Sequence, residues 1–144
     1  MATLKISDLS VGDWVEIDHE DYGWKPAQLN VCGDIGVGAY FKDIDPDEEY
    51  DCTLCQLRPI PITAEILEKN GWRIIEKEAL GEDYEYDGTD RVWNNYDNKI
   101  DICEEKQGVF WHSYSGVYYL CRLYYVHQLQ HLMRLYGVDK EITL

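Results

Sequence analysis

The sequence predicts an α+β chain that is mostly β: an SH3-like small barrel over residues 1–60, then an antiparallel meander packed with a C-terminal helix over residues 61–144. Three observations carry this. First, the stretch from Gly116 to Tyr125 is rich in Tyr, Val and Leu, as strands are, and from Val126 the apolar period switches to that of a helix. Val126, Leu129, Leu132, Met133 and Tyr136 fall at i, i+3, i+6, i+7 and i+10, an arc of about 120° on a wheel of about 100° per residue. A helix is therefore expected over about 126–136, stopped by the left-handed residue that Gly137 supplies. Second, the first sixty residues contain short aromatic and β-branched runs separated by glycine turns, the pattern of a small, strongly bent barrel. Third, the two prolines of Leu57–Ile62 restrict the chain to extended structure, which makes this stretch a connector and places the boundary near residue 61.

In order, Gly12-Asp13 is a turn and Trp14–Ile17 the first strand. The loop from Asp18 to Gly23 leads to a second strand over Trp24–Val31, in which Pro26 demands an edge position or a later start. Gly33, Gly36 and Gly38 mark the next turn, Ala39–Phe41 a third strand and Glu49–Leu54 a fourth. Thr63 can cap a short helix over about 63–70 that ends at Gly71, with Ile66 and Leu67 as its apolar contacts. Beyond it, strands are expected at Trp72–Ile75, Tyr84–Tyr86, Arg91–Trp93, Lys99–Cys103, Val109–Ser113 and Val117–Tyr125, with hairpin turns at Asp87-Gly88 and Gln107-Gly108.

Composition narrows the partners. The 144 residues carry a net charge of −15, with 4 basic and 13 acidic residues in 1–60 and 9 and 15 in the remainder, so neither part is basic. Affinity for nucleic acid comes largely from Lys and Arg neutralising phosphates, so direct DNA or RNA binding is not expected, nor is docking on an anionic membrane. A protein partner with a basic surface is compatible with this charge. The first residues hold no apolar core of a signal peptide, no run suits a membrane span, and five cysteines make an odd count. Together these point to reduced thiols in the cytoplasm.

The motifs that could carry chemistry fail on their surroundings. Cys52-Thr53-Leu54-Cys55 is a C-x-x-C, but Gln56-Leu57-Arg58-Pro59 does not start a helix and no second ligand pair exists for zinc; both cysteines read as small hydrophobes at a strand end. His127 and His131 share one side of the helix at about 100° and 140°, away from the apolar arc near 290°, and read as a solvent-facing pair. No Glu follows His127, so the zinc-protease pattern is missing. Asp83–Gly88 mimics the start of a calcium loop, but position 12 is Asn94 and the flanks read as strands. Asp43–Glu49 has Glu48 where glycine is required and reads as a solvated acidic loop. His112, Ser113 and Ser115 are close in sequence, yet neighbours on a strand point to opposite faces. No catalytic residue, metal ligand or cofactor site is nominated.

Ile6–Val15, Leu57–Gly71 and Tyr125–Gln130 (the last reading YVHQLQ) resemble segments of a group of small proteins from phages and mobile elements of anaerobic, Bacteroidetes-type gut bacteria. The resemblance spans most of the chain in order, most loosely over Glu76–Lys106, and implies a cytoplasmic bacterial protein of mobile-element origin. It implies no catalytic residues.

The expected function is that of a non-enzymatic interaction module. Tyr and Trp dominate binding energy at interfaces, and the chain holds twelve and five of them. Strand alternation makes Phe110, Trp111, Tyr118 and Tyr124 the candidates for an exposed patch. Two other classes compete: a small hydrolase using carboxylates, His112 or the His127/His131 pair with a metal, and an acidic mimic of nucleic acid. Mimicry requires the acids of 43–49 (Asp43, Asp45, Asp47, Glu48, Glu49) and of 82–87 (Glu82, Asp83, Glu85, Asp87) to form one stripe; these two loops are expected to lie apart.

Overall fold

A computed structural model of the chain describes residues 4–75, 89–95, 100–105, 109–114 and 118–144, excepting the side chains of 89–90, 109, 111–114 and 118–121. The described residues form two five-stranded antiparallel sheets and two α-helices, so the chain is mostly β. By Cα proximity it divides into two compact units, Met1–Pro61 with Tyr125–His127, and Ile62–Tyr124 with Gln128–Leu144. Tyr125–His127, which includes the first two residues of the C-terminal helix, thus groups with the N-terminal unit, a return that sequence reading does not anticipate.

The first unit holds β1 (Trp14–His19), β2 (Gly23–Cys32), β3 (Gly36–Phe41), β4 (Asp45–Thr53) and β5 (Leu57–Pro59), in spatial order β4-β3-β2-β1-β5. In β1, Val15 and Ile17 are fully buried while their neighbours are not, the alternation of a strand with one face on a core. That core comprises Val15, Ile17, Ala27, Leu29, Val37, Ala39, Phe41 and Leu57 among others. The connector expected at Leu57–Ile62 is in part a strand, because β5 pairs with β1 through Leu57, Arg58 and Pro59. Pro26 lies inside β2 opposite Glu16, although β2 is not an edge strand. Pairing with β3 begins only at Gln28, so around Pro26 one side of β2 has no ladder to interrupt. The acidic segment expected as a loop is strand from Asp45 onward, exposed along its length, because register with β3 resumes at Phe41↔Asp45.

The second unit begins with α1 (Ala64–Lys69). Thr63 caps it, its Oγ1 accepting from Ile66 N–H at 3.2 Å, Leu67 is fully buried, and Gly71 follows at φ 82. A meander of β6 (Trp72–Ile75), β7 (Thr89–Asn95), β8 (Ile100–Glu105), β9 (Val109–Tyr114) and β10 (Tyr118–Leu123) then runs in strict sequence order. Adjacent residues Val92 and Trp93 are both fully buried, and Ile102 and Cys103 are both buried, so the central strands are covered on both faces. The strand expected at Tyr84–Tyr86 and the turns at Asp87-Gly88 and Gln107-Gly108 lie outside the described residues.

The C-terminal helix, α2, spans Val126–Leu135, with Gly137 at φ 73. The expected solvent-facing histidine pair is corrected here: His127 is buried at 3% exposure, its ring parallel to Tyr125 at 5.8 Å, and His131 is half-buried. Gln130 is buried as well, so α2 is covered beyond its apolar arc, which a wheel drawn from hydrophobicity alone cannot show.

Candidate functional site

Of the expected aromatic patch, Phe110 does not reach the surface and Tyr124 does. Phe110 is buried at 2% exposure, in register with Glu104 and Leu123 on a covered face of the second sheet, while Tyr124 is 47% exposed. The side chains of Trp111 and Tyr118 lie outside the described residues. Of the C-x-x-C, Cys52 is buried at the end of β4 but Cys55 is exposed in a short 3-10 turn, so the reading of both as small hydrophobes at a strand end is corrected for Cys55. Burial first, then the neighbouring Asp51 and Cys55, pushes the Cys52 thiol up to about 11, so it stays protonated near neutrality. Among the described residues no group of three or more His, Cys, Asp or Glu is placed to hold a metal ion.

A different set of side chains converges at one end of the first sheet. In an antiparallel sheet the β1–β2 and β3–β4 turns lie at the same end. The first closes through His19↔Gly23, with Gly23 at φ 68 supplying the left-handed residue. Asp21 N–H donates to His19 Nδ1 at 3.1 Å and braces the imidazole across the turn. The second closes through Phe41↔Asp45, with Ile44 N–H donating to the Phe41 carbonyl at 3.0 Å.

Aromatic rings from both turns and from β4 meet there. The His19 centroid lies 5.0 Å from that of Tyr22, 5.1 Å from Phe41 and 5.4 Å from Tyr50. His19 and Tyr50 are nearly parallel at 26°, while Phe41 stands across both at 82° and 74°. Phe41 is buried and anchors the group to the core; Tyr22 is 57% exposed, and His19 and Tyr50 are half-buried. β1 and β4 are three strand spacings apart, about 14 Å in a flat sheet. Contact between the His19 and Tyr50 rings therefore requires the sheet to curl strongly toward this end.

The rings border a recess of about 260 Å³ whose lining includes His19, Phe41 and Tyr50 and the carboxylates of Glu20, Asp21, Asp45, Glu48 and Glu49. Among the described residues no Lys or Arg belongs to that lining. Lys42, in the β3–β4 turn, instead reaches over the Trp14 ring, 6.0 Å from its centroid. Glu49 is engaged by the Asn30 amide at 2.8 Å and Asp45 by the Asp47 N–H at 3.3 Å. Glu20, Asp21 and Glu48 make no ion pair with a described residue and stand exposed at the rim. Hydrophobic periodicity misses this site, since it looks for what is buried. The available signal was an aromatic or His at the last position of two strands, one followed by the acidic turn Glu20-Asp21 and the other by a turn that leads into the acids from Asp45 to Glu49.

A second concavity of about 390 Å³ lies at the opposite end, around the β2–β3 turn. It is mainly apolar, bordered by Val31, Ile35, Val37 and Cys52, with Ile35 87% exposed. Of the two acidic loops weighed for nucleic-acid mimicry, 82–87 lies outside the described residues, as does the calcium-like Asp83–Gly88. No helix among the described residues is long and apolar enough to cross a membrane. Comparison of the chain with protein-family models, with curated proteins and with solved structures finds no match in any of the three.

Proposed function

We propose that the protein is a non-enzymatic interaction module, of the mobile-element type its sequence resembles, and that its first unit is an SH3-like barrel that binds a basic segment of a partner protein in the acidic–aromatic recess. The observation that carries this is the convergence of three rings and five carboxylates, with no basic side chain among the described residues, around one recess. Ring faces attract cations by about 0.5–2 kcal/mol, the more so when water is excluded, and a field of carboxylates raises the encounter rate with a basic partner. The barrel reading is supported by the pairing of β1 with both β2 and β5 and by the curl that brings the Tyr50 ring of β4 against His19 of β1. Binding rather than catalysis is favoured by the state of the groups: the rim carboxylates are exposed, His19 Nδ1 is committed to its turn, and Cys52 is a protonated thiol.

Selection from a randomised peptide display library tests the reading. Basic sequences should be enriched, and they should lose binding to Tyr50→Leu, which keeps apolar bulk against the core but removes the ring, and to a Glu20→Gln/Glu48→Gln variant. Enrichment of apolar or acidic sequences, or of peptides that bind these variants as well as the native chain, counts against it.

A further inference from the structure

The chain builds the same three-part arrangement twice from its own residues. On the first sheet, the Arg58 guanidinium lies 4.4 Å from the Trp24 ring centroid while its Nε contacts Glu16 Oε2 at 2.5 Å. On the second, Arg91 lies 5.3 Å from the Trp93 ring centroid and grips Glu104 with two nitrogens, at 2.5 and 2.9 Å. In each, a flat cation is held between an aromatic face and a carboxylate, which suits guanidinium because it is planar, weakly hydrated and donates in a fixed fork. The recess at the tips of β1–β2 and β3–β4 presents two of the three parts, ring faces and carboxylates.

Geometry also decides which cation suits it. An ammonium, strongly hydrated and nearly spherical, is best held when rings enclose it on several sides. Here the His19 and Tyr50 rings are in contact at 5.4 Å, which leaves no slot between them, and Phe41 is buried at 3% exposure and offers no free face. What remains is one-sided: His19 is covered by Tyr50 stacked on it and by Tyr22 at 5.0 Å, so the half-buried Tyr50 ring supplies the shelf, flanked by Glu20, Asp21 and Glu48 at the rim. A flat group can stack on such a shelf and reach sideways to carboxylates; a spherical one touches it on one side only.

We propose that the recess formed by His19, Tyr50 and the rim carboxylates is an arginine-reading subsite, which takes the guanidinium of one arginine presented by the partner protein. The inference rests on the interaction-module reading and names the side chain that the module recognises.

The test is an NMR titration of the full chain with short peptides, Ala-Ala-Xaa-Ala-Ala with blocked ends, in which Xaa is arginine, lysine or citrulline. Citrulline keeps the shape of arginine and removes its charge. The arginine peptide should move the resonances of His19, Tyr22 and Tyr50 and bind at least about fivefold more tightly than the lysine peptide, with citrulline weaker than both. Tyr50→Leu should erase the shifts, and Glu48→Gln, an exposed change that leaves the fold intact, should weaken arginine binding by about threefold. Equal or tighter lysine binding overturns the inference, as does an arginine response centred on Trp24 or any other surface, or none at all. Should library-selected basic peptides still depend on Tyr50 in those cases, the interaction module stands and only the arginine assignment falls. Should the arginine peptide bind here while no library peptide is selected, the subsite stands and the module reading falls.

Discussion

Asn70, at the C-cap of α1, shows how much one side chain can hold in place. Its Nδ2 donates to the Ile66 and Thr143 carbonyls, each at 2.7 Å, and its Oδ1 accepts from Thr143 N–H at 2.7 Å. Lys69 Nζ donates to the Leu144 carbonyl beside it, and Val138 and Ile142 of the same tail are buried. Asn70 is itself 8% exposed, so truncation strands buried polar groups as well as deleting bonds. Asn70→Ala should cost about 1–3 kcal/mol in urea unfolding, and the Thr143 amide should exchange with solvent faster than before. Cys52 gives a second prediction at this scale. Its thiol rises from 9.0 to about 11 on folding, chiefly through burial, so the folded state holds that proton more tightly than the unfolded chain does. The resulting stabilisation is complete below pH 9 and is lost as pH climbs through about 11. The native chain should therefore lose more stability than Cys52→Ala between those limits, and at pH 8 a thiol reagent should modify exposed Cys55 well before Cys52. The helix cap was legible at this scale, since Thr63 and Gly71 act through neighbours in sequence. The burial of His127 was not, because it depends on what covers the polar side of α2.

Among the elements, strand existence was more legible than strand extent. Trp14–Ile17 and Trp72–Ile75 were expected, and the structure places β1 over Trp14–His19 and β6 over Trp72–Ile75, because aromatic and β-branched runs are unambiguous there. β3 and β4 ran longer than expected because Gly36, Gly38 and the acids from Asp45 to Glu49 have low strand propensity and enter their ladder through pairing alone. The glycines are there for space. A Cβ on Gly36 would sit 2.5 Å from the Cys52 carbonyl oxygen, and backbone cannot step aside as a flexible side chain can. At Gly33 the nearest atom is 3.4 Å away, an ordinary contact. Gly36→Ala should therefore separate β3 from β4 locally and cost about 1–3 kcal/mol, with Gly33→Ala close to neutral. Thermal melts of the two variants side by side check this. A Gly36→Ala melt indistinguishable from the native one contradicts the close approach.

For the whole molecule, the charge of −15 acts on stability and on binding in opposite directions. The sign of that charge was legible in composition, and with it the compatibility with a basic partner. The recess was not, because Asp45, Glu48 and Glu49 border it only when curl of the first sheet brings Phe41 and Tyr50 against His19, and curl is a property of all the strands together. Surplus negative charge repels itself in the compact state, whereas on the proposed reading the carboxylates at the recess attract a cationic ligand. Both effects are screened together: from about 0.01 M to about 1 M salt the Debye length contracts from about 30 Å to about 3 Å. Added sodium chloride should then raise the melting temperature of the free protein by relieving self-repulsion, while weakening its hold on a basic peptide. The loss should be the shallower of the two once the cation is stacked against Tyr50, because ring contact is screened far less than exposed charge. Melting curves and peptide titrations across one salt series measure both slopes. A melting temperature that falls with salt, or peptide affinity that does not, is incompatible with an acidic surface acting in this way.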